Sequence, residues 1–185
     1  MRRFIATLAI ALVAGCSAPG PAAPSPIRIG GVFPVSGNAA DLAGQELAGV
    51  QIAFDIVNAQ GGIGGRLLEL DVRDIESAAD APGAMRALQA DGVSVVVGAY
   101  SSELSIAAAH AAADAGLVYW EAGAVADRLT GEGLPLVFRV GASGSTLGAD
   151  SAEFAATQLA PRLGKAVDEV RVAIVAARDD YASSV

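Results

Sequence analysis

Residues 54–74 read FDIVNAQGGIGGRLLELDVRD, and three patterns meet in them. Phe54 and Val57 close an apolar stripe that includes Leu47 and Val50, a spacing that predicts a helix over residues 39–58, although Gly44 and Gly49 lower its propensity. Leucines alternating with polar residues over 66–74 predict a strand. Between them, Gly61, Gly62, Gly64 and Gly65 supply the positive-φ positions of a tight helix-to-strand turn. A phosphate-binding loop needs the opposite order, with amides at a helix start that follows a strand, and this turn also lacks a P-loop lysine. The other glycine-rich stretch, GGVFPVSG at 30–37, lacks G-x-G-x-x-G spacing, so the glycines argue against a nucleotide site.

Outward from this unit, strand-like and helix-like runs keep alternating. IRIGGVF at 27–33 is the first strand, with 66–74 the second. Ser77 is placed to cap a helix over 78–90, with Pro82 tolerated in its first turn. VSVVVG at 93–98 is a third strand, apolar enough for burial on both faces, and a helix with an alanine-lined inner side runs from about 103 to 115. LVYWE at 117–121, LVFRV at 136–140 and VRVAIVAA at 170–177 give strands four, five and six, with a helix over 145–163 between the last two. The fold class is α/β: a Rossmann-like parallel sheet with crossover helices. A helix is expected after the sixth strand, but the sequence stops after RDDYASSV, in mid-architecture. Glycine and serine at 141–145 mark a domain boundary.

The amino terminus has a different character. Met1, Arg2 and Arg3 precede an apolar run over 4–14, which at 11 residues is too short to span a bilayer and suits a signal peptide. Gly15 and Cys16 follow, and VAGC resembles the lipobox of bacterial lipoproteins, in which Cys16 would be lipidated. An ordinary signal peptide with a chance cysteine, or a buried amino-terminal helix, is the alternative. Four prolines over 17–26 read as an extended tether. Residues 1–15 are therefore expected to be a signal peptide and 16–26 the lipidated cysteine with its tether, placing the body outside the cytoplasm on a membrane. The chain is 53% hydrophobic and 17% charged, as a folded body requires, and its formal charge of −8 becomes more negative without Arg2 and Arg3. Such a surface repels phosphate backbones, and no basic stripe or aromatic platform for nucleic acid is present.

The titratable residues do not assemble a catalyst. His110, the one histidine, has only Asp114 at a spacing that shares a helix face, and no nucleophile is associated with it. The histidine, cysteine and carboxylate pattern offers no metal-ligand set. Asp179 and Asp180 are adjacent at a strand end, where side chains point opposite ways, and read as solvated charge. What remains is polar and aromatic: residues 36–38, GAYSSE at 98–103, YWEAGA at 119–124, and Tyr181, all expected at the carboxyl edge of a parallel sheet, where ligands of such folds bind. Ser102 is the expected cap of the third helix, with helix amides beside it that suit a carboxylate. Tyr100, Tyr119 and Trp120 are candidates for the wall of an apolar pocket.

Residues 27–74, 92–124, 129–140 and 170–181 together resemble the extracytoplasmic substrate-binding proteins of ABC transporters, in the branched-chain amino-acid (Leu/Ile/Val-binding) family, and N-x-x-G-G-I-x-G at 58–65 is the most specific block. The resemblance implies a type I periplasmic-binding fold with two lobes closing on a small ligand, no cofactor, no catalysis and a permease as partner. It places lobe one over 27–141 and an incomplete start of lobe two over 142–185. It implies that Ser102, with neighbouring Tyr100 and Ser101, holds the ligand carboxylate. It further implies that Ala122, Gly123 and Ala124 offer backbone groups, and that Tyr181 comes from lobe two. Trp120 and Glu121 stand where small residues are usual, implying a larger or more cationic ligand, and Ala182 replaces a usual glycine. A ligand-sensing receptor domain, or a truncated non-transporting remnant, is the alternative to a transport component.

Overall fold

The computed structural model describes residues 24–185, so Cys16 and the apolar run before it lie outside the described residues. Five strands, β1 (Ile27–Phe33), β2 (Leu68–Asp74), β3 (Val95–Gly98), β4 (Val118–Glu121) and β5 (Val137–Arg139), form one parallel sheet in the order β2-β1-β3-β4-β5. The connections are α1 (Ala40–Ala59), α2 (Ala81–Ala90) with a single 3-10 turn before it, α3 (Ser102–Ala115) and the short α4 (Arg128–Gly131). After β5 come α5 (Gly144–Phe154), a π-helical turn and α6 (Ala160–Arg162), which together match the helix expected over 145–163. The parallel α/β class read from the sequence is the observed one.

The deciding stretch folds as its pattern dictates. α1 gives way at Gln60, and Asn58 then treats Leu68 as a strand partner: its Nδ2 donates to the Leu68 carbonyl at 2.9 Å and its Oδ1 accepts from the Leu68 amide at 2.7 Å. Ile63 and Arg66 exchange backbone hydrogen bonds of 2.8 and 3.1 Å across Gly64 and Gly65, both at positive φ, which is a two-residue hairpin. Gly62, at φ 74°, is required twice over, because a Cβ there would also lie 2.0 Å from the Arg66 carbonyl oxygen.

The core lies between the sheet and the α2/α3 layer. Val32, Val96 and Tyr119 are buried with Met85 and Leu88 of α2, and Leu104, Ala108 and Ala112 of α3. The alanines let α3 approach closely, and Gly30 does the same for α2, since a Cβ there would sit 2.8 Å from Leu88 Cδ1. Ser77 opens the α2 segment as expected, with both its amide and its hydroxyl donating to the Asp80 carboxylate at 2.9 and 2.8 Å.

The sixth strand is a correction. Residues 170–177 form no strand and pair with none of the described strands, and Ile174 and Val175 are 87% and 99% exposed. A strand exists through its ladder partners, and β5, at the edge of the sheet, pairs with β4 alone.

Candidate functional site

The sheet order sets the location. From β1 the chain crosses to β2 on one side and then to β3 on the other, so the loops after β1 and β3 leave the carboxyl edge in opposite directions, which is the topological switch point where ligands of open α/β sheets bind. α3 starts at that edge. Its cap is Ser101, in extended conformation, whose Oγ accepts from the Leu104 amide at 3.3 Å. This corrects the expectation that Ser102 is the cap. Ser102 is the first helical residue, 4% exposed, and its Oγ accepts from the Ala126 amide at 3.2 Å, joining α3 to the loop after β4. Accepting that bond leaves the Ser102 hydroxyl hydrogen without an acceptor among the described residues, and the first amides of α3 have no partner within the helix.

Glu121 ends β4 and is fully buried. Its Oε2 accepts from the Tyr119 hydroxyl at 2.8 Å and the Ala99 amide at 3.1 Å, and its Oε1 accepts from the Gly123 and Ala124 amides, both at 2.7 Å. Two expectations change as a result. Glu121 is no pocket wall facing a ligand, because strand alternation turns it inward beside Tyr119 and four donors surround it. The amides of Gly123 and Ala124 are not open to a ligand, because Glu121 occupies them. Ala99 is held a second time, its amide also donating to Ser105 Oγ at 3.2 Å. Burial, and then the charge of Glu121, keeps the Tyr119 hydroxyl protonated to well above the usual phenol range.

Glu46, on α1, completes this cluster and was not singled out in the sequence. Its carboxyl lies against Gly123, where a Cβ would be 2.2 Å from Oε2, and its Oε1 is buried without a partner among the described residues. Burial, and then the Glu121 charge, pushes the Glu46 carboxyl up to about 7. Arg139 of β5 was missed as well. Its Nη1 donates to the carbonyls of Val125 and Ala126 at 3.0 and 2.8 Å, and its Nη2 reaches Thr130 Oγ1 at 3.3 Å, fixing the loop after β4 from the other side. A lone arginine in the apolar run LVFRV was the available signal for it; nothing in the spacing of α1 marked Glu46.

The remaining candidates divide between places. Tyr100 is half-buried just before the Ser101 cap, with φ 96°. Ala122 is half-buried on the loop after β4. Ser36, after β1, has its hydroxyl in hydrogen-bond contact with the Asp74 and Glu76 carboxylates, and this contact holds the exposed Asp74 carboxyl below its ordinary value. Trp120 does not join the cluster. It faces the opposite side of β4, with its ring 6.0 Å from that of its cross-strand neighbour Phe138. Tyr181 lies in a turn beside an apolar groove of about 630 Å³ formed with α5 and residues 170–177. His110 is half-exposed and pairs with Glu132 at 2.8 Å, not with Asp114, and Arg128 links Glu132 to Asp180 in a surface ion-pair chain.

The parallel sheet, its switch point and the polar loops at that edge define the class: an α/β lobe of the type I periplasmic-binding fold. The chain belongs to the periplasmic binding protein family, whose profile matches residues 26–185. This is a family of binding proteins, not of enzymes. The chain is 36% identical to Leu/Ile/Val-binding protein homolog 8 of Brucella abortus over 165 residues, which are 89% of this chain and 41% of that protein. The branched-chain amino acid transporter substrate binding protein LivJ of Streptococcus pneumoniae, solved with isoleucine, is 32% identical with a TM-score of 0.65, over 72% of this chain and 39% of that one. An ABC transporter substrate-binding protein of Desulfitobacterium hafniense, solved with Leu, is 27% identical with a TM-score of 0.62, over 73% and 39%. The chain thus spans about two fifths of the length of these three relatives.

Proposed function

We propose that this chain is the ligand-binding lobe, with the start of a second lobe over 142–185, of an extracytoplasmic solute-binding protein that delivers an amino acid or related amide to an ABC importer. The observation that carries the reading is the start of α3 at the switch-point edge, where the first amides of a helix and the Ser102 hydroxyl hydrogen, left over when its oxygen accepts from Ala126, form a seat for a carboxylate. The likeness to LivJ with its bound isoleucine supports an amino acid in that seat. Tyr100 and Ser101 border it. Across the switch point, the Ala122 carbonyl is a hydrogen-bond acceptor for an ammonium or amide group, and Tyr181 is the contribution of the second lobe. The protein is held to the membrane through a lipid on Cys16, a reading supported by the lipobox-like VAGC at 13–16.

Two measurements on native protein extracted from its host membrane test this. Intact mass is expected to start at Cys16 and carry acyl groups; an unmodified Cys16 overturns the anchor. Titration calorimetry is expected to give heat with isoleucine or leucine, and no heat with any amino acid or amide overturns the ligand class.

A further inference from the structure

We propose that Glu121 is a positioning residue, tying the loop after β3 to the loop after β4 so that the carboxylate seat at α3 takes its shape from a side chain the ligand never touches. The inference rests on the solute-binding reading for its functional sense, and on geometry for the tie itself. Four donors converge on one carboxylate from three places in the fold: Tyr119 from β4, Ala99 from the loop after β3, and Gly123 with Ala124 from the loop after β4. A carboxylate presents two oxygens and about four lone-pair sites, so the match with four donors uses the full accepting capacity of the group. Glutamine does not reproduce this, because its NH₂ would face either the Ala99 amide or the Gly123 and Ala124 amides as a donor against donors, and only the Tyr119 hydroxyl could turn to accept from it. Aspartate is one methylene short. Two bonds from α3 reinforce the same pair of loops, Ser105 on Ala99 and Ser102 on Ala126.

The tie also selects what the site presents. With the Gly123 and Ala124 amides donating to Glu121 and the Val125 and Ala126 carbonyls held by Arg139, the loop after β4 leaves the Ala122 carbonyl, beside the Glu46 carboxyl, for a ligand, while the donors belong to α3. A ligand group lying against the loop after β4 is therefore a hydrogen-bond donor.

The test compares Glu121→Gln with the unaltered protein by NMR amide exchange, by isoleucine affinity and by the titration of Glu46, the groups facing Glu46 being Glu121 and Tyr119. We expect protection at Ala99, Gly123 and Ala124 to fall at least tenfold while β1 and β2 keep theirs, and isoleucine affinity to fall at least tenfold. The Glu46 midpoint should drop below about 7 as the neighbouring charge is lost. Unchanged protection in both loops, or unchanged affinity in a variant with loosened loops, overturns the proposal. If Glu121→Gln does not fold, Tyr119→Phe removes one of the four donors and should loosen Ala99 selectively; exchange there equal to that of the unaltered protein overturns it. If the unaltered protein gives no heat with any amino acid or amide, the solute-binding reading fails, and exchange at residues 99, 123 and 124 still decides whether Glu121 ties the loops.

Discussion

Glu46 shows how one carboxyl can set the behaviour of another. Its ordinary value is 4.5, and burial with the nearby Glu121 charge raises it to about 7 in the folded protein. An acid whose value is raised on folding holds its proton more tightly in the native state. The stability it adds is fully present below about 4.5 and is lost as pH rises through 7. Glu46→Gln, which mimics the protonated form permanently, should melt like the unaltered protein at about pH 4, below the ordinary value of 4.5. At pH 8 it should be more stable by about 1–2 kcal/mol, after discounting for the part of the carboxyl that water reaches. Thermal melts at the two pH values check the sign. The residue scale is also where the sequence was least legible. Alternation in YWE says that Tyr119 and Glu121 share a face and Trp120 takes the other, but a buried glutamate runs against the usual exposure of that residue. What makes Glu121 tolerable in the core is a set of amides from two loops, one of them more than twenty residues away in sequence. Only the folded chain brings those amides together.

At the scale of elements, legibility follows locality. The turn between α1 and β2 was readable because its requirements lie within one short stretch: positive-φ glycines, a hairpin across Gly64 and Gly65, and an asparagine to pair with Leu68. Asn58→Ala removes two hydrogen bonds and leaves the Leu68 backbone groups without them, so it should destabilise by about 1–3 kcal/mol. Gly62→Ala should be worse than Asn58→Ala, because strain at positive φ adds to a collision with the Arg66 carbonyl. Urea unfolding with an unchanged m-value checks both. The α3 boundary was readable to one residue, yet that residue mattered. Placing the cap at Ser101 frees Ser102 to join the loop after β4. The run at 170–177 failed for the opposite reason, since apolar β-branched residues announce a strand but cannot supply its neighbours.

On the scale of the whole molecule, two apolar regions stand in water. One is the flank of residues 170–177 with the groove beside it, and the other is the outer face of β4 and β5, where Trp120 stacks near Phe138. Contiguous exposed apolar surface promotes association. Replacing Ile174 and Val175 together by lysine should suppress concentration-dependent light scattering while leaving the melting temperature nearly unchanged, because neither side chain is in the core. The position of Trp120 also carries an optical consequence. It is the only tryptophan in the chain, and it sits one residue before Glu121 on the opposite face of the sheet. Its fluorescence should therefore be open to acrylamide quenching and largely indifferent to a small solute seated at α3. A spectroscopist following ligand addition by intrinsic emission would be watching the outer edge of the sheet, so a silent signal there would say nothing against binding.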